Sequence, residues 1–187
     1  MINILRSIFL SLIGLAPFAS LSIILIITMA IGPGPDSPIS SYIGDNLVNL
    51  ESLADAGDSY EDVSMYLFKL IRELNIALLS LTTFMTLAWS VSSHYLNIDS
   101  PGKAKIYFVH WSIFTGIFVA LIFGILFYFI QTSAYIAEQF LSGGGKTQIF
   151  IGFTILYALM YYFGVVLGTS RFARSSVLFA NKLPGNL

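Results

Sequence analysis

The polar positions of this chain are bunched, and four long apolar runs separate the bunches. Residues 7–35, 74–98, 106–137 and 147–170 contain no Asp, Glu, Lys or Arg. These runs are 29, 25, 32 and 24 residues long. A bilayer core about 30 Å thick is crossed by about 20 residues of apolar helix. Each run is therefore long enough to cross once. The pattern predicts an all-α integral membrane protein with four transmembrane helices, over about 7–31, 74–96, 106–130 and 148–170. They form a single membrane domain covering residues 1–187, and the lipid bilayer is the first expected partner.

Breakers and periodicity refine these limits. Pro17 lies inside the first run, where a proline removes one helical hydrogen bond. Ser20 and its neighbours are placed to satisfy the carbonyl it releases. Ala16-Pro17-Phe18-Ala19-Ser20 offers the small residues of a signal-cleavage site, but the apolar run continues to Ile31, longer than a signal h-region. An uncleaved first span is expected, ended by Gly32-Pro33-Gly34-Pro35. Ile43, Leu47, Leu50 and Leu53 then recur at helical spacing, and Ala56-Gly57 stops the series. Asp58-Ser59-Tyr60-Glu61 has capping-box spacing. From there Val63, Leu67, Leu70, Ile71 and Leu74 make one apolar stripe. The loop 36–73 is therefore expected to be helical, with the second long helix starting near Ser59 and reaching about Leu96. Ser142-Gly143-Gly144-Gly145 reads as a flexible link before a short fourth span.

Charge orients the spans. Residues 36–73 hold eight acids and two bases, whereas the N-terminus, the 99–105 loop and the tail together hold six bases and one acid. Lys and Arg near span ends stay on the cytoplasmic side. Both termini are thus expected in the cytoplasm, and residues 36–73 form an extracytoplasmic helical loop. Trp89, Tyr95, Tyr107 and Trp111 flank the predicted cytoplasmic hairpin, at the depth amphipathic rings prefer. A net charge of −1 and a charged fraction of only 10% give no basic surface for nucleic acid. Without cysteine there are no disulfides, thiolate metal sites or cysteine nucleophiles. The absence of cysteine and of any Asn-x-Ser/Thr acceptor fits a bacterial membrane, and an inner membrane is the expected location.

Little of the remaining chemistry is catalytic. Thr82, Thr86, Ser90 and His94 repeat every fourth residue and form a polar edge on the second span; Asn75, Leu79 and Thr83 follow a neighbouring line. Such an edge lines a water path or bonds to a packed helix. Ser112, Gly116, Ala120 and Gly124 make a smooth row along the third span, and Gly164 and Gly168 a shorter GxxxG on the fourth. Small residues at this spacing let helix backbones approach closely, within the chain or against another subunit. His94 and His110 flank one hairpin, but two histidines are too few for a metal site. Gly145-Lys146-Thr147 has the end of a phosphate-binding loop, yet Phe140 stands where its first glycine belongs. No nucleophile–base or paired-carboxylate arrangement falls in one aqueous compartment. No enzyme activity, cofactor or metal is expected. The lack of acids or bases deep in the spans also disfavours an ion-coupled pump.

The four-span, charge-poor layout resembles small inner-membrane components of bacterial secretion and conjugation machines, a resemblance of layout alone. It implies a non-catalytic subunit that packs its spans against other membrane proteins. The alternative is a small oligomeric channel or carrier for an uncharged substrate, its path lined by the polar edge.

Overall fold

The computed structural model describes residues 2–32, 38–48, 60–93, 101–132 and 142–168. Among them the chain is helical, with no strand. The helices are α1 (Ile2–Ile31), α2 (Pro38–Asn46), α3 (Tyr60–Ser92), α4 (Pro101–Thr132) and α5 (Gly143–Gly168). Four of them are long and apolar enough to cross a membrane, over Ile4–Ile31, Met65–Ser92, Phe108–Ile130 and Gly143–Gly168.

The helix limits follow local signals. Gly32 ends α1 in the left-handed region at φ 81°, which glycine enters without Cβ strain, and its N–H returns to the Thr28 carbonyl at 3.2 Å. Within α1, the Ser20 hydroxyl donates to the Ala16 carbonyl at 2.8 Å. It is therefore not spent on the Ile13 carbonyl, the group Pro17 leaves without its helical donor. Pro38 and Pro101 each open a helix, where a missing N–H costs nothing. α4 thus begins five residues before the uncharged run, taking Lys103 and Lys105 into its first turns. α2 ends sooner than the apolar spacing implies: the N–H groups of Leu47 and Val48 both fold back on the Ile43 carbonyl. Leu50, Leu53, Ala56-Gly57 and the Asp58-Ser59 cap lie outside the described residues, as do His94, Tyr95 and the tail beyond Gly168.

The glycine triplet is the largest departure. It is the first turn of α5, not a link. Ser142 caps it: its hydroxyl accepts the Gly145 N–H at 2.8 Å, while the Lys146 N–H bonds the Ser142 carbonyl at 3.1 Å. Gly145 lies against the backbone of Leu47, where a Cβ would come within 2.7 Å of the carbonyl oxygen. The low helix propensity of glycine, about 1 kcal/mol per residue, is overridden by a contact that only glycine permits.

The chain divides into two compact units. The first contains residues 1–20, 79–121 and 157–187; the second contains 21–78 and 122–156. In the second unit, Leu67, Leu70, Ile71, Leu74 and Leu78 of α3 are buried together with Ile43, Leu47, Ile149 and Phe153. Asn75, fully buried, donates to the Ser22 carbonyl of α1 at 2.8 Å. Phe123 stacks on Phe150 at 5.3 Å. In the first unit, Trp89 is 1% exposed and packs on Phe114 at 5.5 Å. Its ring therefore packs inside the chain. Phe118 stacks on Tyr161 at 4.2 Å.

Candidate functional site

The polar edge of α3 turns inward. Thr82, Thr86 and Ser90 are each 0% exposed. Around them, in the first unit, α1 and α5 contribute small residues. Ser11 Oγ and Ser90 Oγ share a hydrogen bond of 2.5 Å, and Ser7 Oγ donates to the Gly168 carbonyl at 2.5 Å. Ser90 also bonds its own helix, at the Thr86 carbonyl 2.9 Å away. The hydroxyls of Thr82 and Thr86 find no acceptor among the described residues. The methyl group of Thr86 takes part in the packing: it would lie 2.6 Å from a Cβ at Gly164.

The Gly164–Gly168 pair belongs to the same seam. A Cβ at Gly164 would strike Leu15 and Thr86, and one at Gly168 would strike the Ser11 and Ser90 hydroxyls. Opposite them, Gly14 is equally constrained, because its Cβ would fall 2.5 Å from the Phe163 carbonyl oxygen. The backbones of α1 and α5 touch here. Gly14 and the serines at 7 and 11 were legible as a small-residue row on α1, at spacings of four and three. The many Leu and Ile residues of that helix mask the row.

The row on α4 lies elsewhere. Ser112, Gly116, Ala120 and Gly124 are all exposed, and a Cβ at Gly116 or Gly124 would meet nothing within 4 Å. α4 buries Phe118, Ile122 and Leu126, a single stripe at four-residue steps. At 3.6 residues per turn, a position two residues away is turned by about 200°. The small row therefore occupies the face opposite the packed one. Only 17% of the α4 span is buried, against 44% for α3. Ile113, Ile117 and Leu121 flank the row and are exposed too.

His110 is exposed on α4, and His94 lies outside the described residues, so the histidine pair is not described together. Among the described residues no three His, Asp or Glu side chains come together as metal ligands.

Comparison with protein-family models, with curated proteins and with solved structures finds no match.

Proposed function

We propose that this chain is a non-catalytic integral subunit of a multi-protein assembly in a bacterial inner membrane, of the secretion or conjugation type its four-span layout resembles. The observation that carries the reading is the α4 face. A row of four small residues on one exposed helix face gives a groove into which a second helix can pack at short backbone distance. A surface shaped only for lipid has no need of such a groove. By the distribution of Lys and Arg, the termini lie in the cytoplasm and the acidic 36–73 region lies outside, where it docks an external component.

The alternative, a channel or carrier for an uncharged substrate, would use Thr82, Thr86 and Ser90 as the wall of its path. Burial of that row against Ser11 and Gly164 favours packing instead. The test is purification of the full chain in mild detergent with identification of what accompanies it. Unlike membrane subunits at fixed ratio support the assembly; a lone homo-oligomer supports the channel.

A further inference from the structure

The second unit carries a cleft of ≈ 250 Å³ bordered by α1, α2 and α5. Its walls are apolar, from Leu25, Leu47, Phe153 and Leu156, and Tyr42 and Gln148 are its polar members. The Tyr42 hydroxyl donates to Gln148 Oε1 at 2.6 Å. That bond uses the amide oxygen of Gln148 and leaves its N–H donors without a protein acceptor among the described residues. Gly152 also lines the cleft, and a Cβ there would meet nothing within 4 Å among the described residues.

The cleft is continuous with the surface that meets hydrocarbon. Leu25 lies in the first span, and Gly152, Phe153 and Leu156 lie in the last. On either side Ile24, Ile151 and Ile155 are half or more exposed. A void beside apolar walls forfeits dispersion contacts, and the surrounding fluid is lipid. The cleft is bordered by residues of the first and last spans, so the groups at its mouth are hydrocarbon, and a methylene chain matches its apolar walls. We propose that the cleft seats one acyl chain of a bilayer phospholipid, with the ester region of that lipid accepting hydrogen bonds from the Gln148 amide. The polar end matches a neutral acceptor rather than a phosphate, because no cation lines it among the described residues.

The test uses the full chain reconstituted in phosphatidylethanolamine–phosphatidylglycerol vesicles containing a phospholipid with a diazirine on one acyl chain. After irradiation, adducts are mapped by mass spectrometry. The expected result is enrichment on residues 149–156 over the more exposed 113–121 face of α4. Gly152→Phe fills open space and should reduce the adducts to the level of that face without lowering thermal stability. Leu156→Trp, at another lining residue, should do the same. Equal labelling of the two faces, or enrichment that survives both substitutions, overturns the proposal. Capture of a protein segment at 149–156 in native membranes would also overturn it.

Discussion

Gly164 and Gly116 stand in rows of the same spacing, and their surroundings differ in kind. A side chain at Gly164 meets Thr86 and Leu15 at 2.6 and 2.8 Å, whereas one at Gly116 meets nothing within 4 Å. Gly164→Leu should therefore overpack the seam and cost about 1–3 kcal/mol, measured as reversible unfolding of the detergent-solubilised protein. A variant as stable as the parent would mean that α1 and α5 do not approach as closely as Gly14 and Gly164 imply. Thr82 offers the complementary test. Its hydroxyl is buried without a partner among the described residues, and such a group costs about 1–3 kcal/mol rather than contributing stability. Thr82→Val keeps the shape and should leave stability unchanged or raise it. A clear loss would show that the hydroxyl contacts water or substrate, as a permeation path requires. The four-residue spacing in the sequence marks where close approach is feasible; it does not say which neighbour approaches. For that reason the glycine rows and the polar edge were legible as positions, but their partners were not.

At the scale of elements, apolar patterning marked the long helices well and local chemistry set their ends. The start of α3 at Tyr60 falls within a residue of the capping signal. The missed limits have physical causes. Charge-free length located the start of α4 at residue 106, but a helix does not stop at its first lysine, and Pro101 supplies the start signal. Three consecutive glycines disfavour helix in isolation; the Ser142 cap starts the turn, and Gly145 lies against the Leu47 backbone. The Ser142 hydroxyl holds this junction twice, accepting from Gly145 and donating to the Asn46 carbonyl at 3.1 Å. Ser142→Ala should cost about 1 kcal/mol and speed amide hydrogen exchange in α2 and the first turn of α5 together. Exchange that changes in α5 alone would show that α2 is seated by other contacts.

At the scale of the whole molecule, two matters decide the reading: which way the chain crosses the bilayer, and what the exposed α4 face meets. Orientation rests on six bases and one acid at the termini and the 99–105 loop, against two bases and eight acids in 36–73. A cysteine introduced by Ser59→Cys should react with an impermeant thiol reagent in intact cells, and one introduced by Ser100→Cys should not. The parent has no cysteine to confuse the labelling, and the reverse pattern would invert the topology.

The most direct measurement concerns Gly116 and Gly124. Replacing each with Leu fills the small-residue row while keeping the span apolar enough to insert. A Cβ at either position meets nothing within 4 Å among the described residues, so abundance in the membrane and unfolding in detergent should match the parent. Close packing of another subunit's helix against α4 should be lost. The expected result is a normally abundant, stable protein that no longer co-purifies with its membrane partners. Normal abundance together with unchanged complex formation would contradict the account, because the α4 face would then meet only lipid.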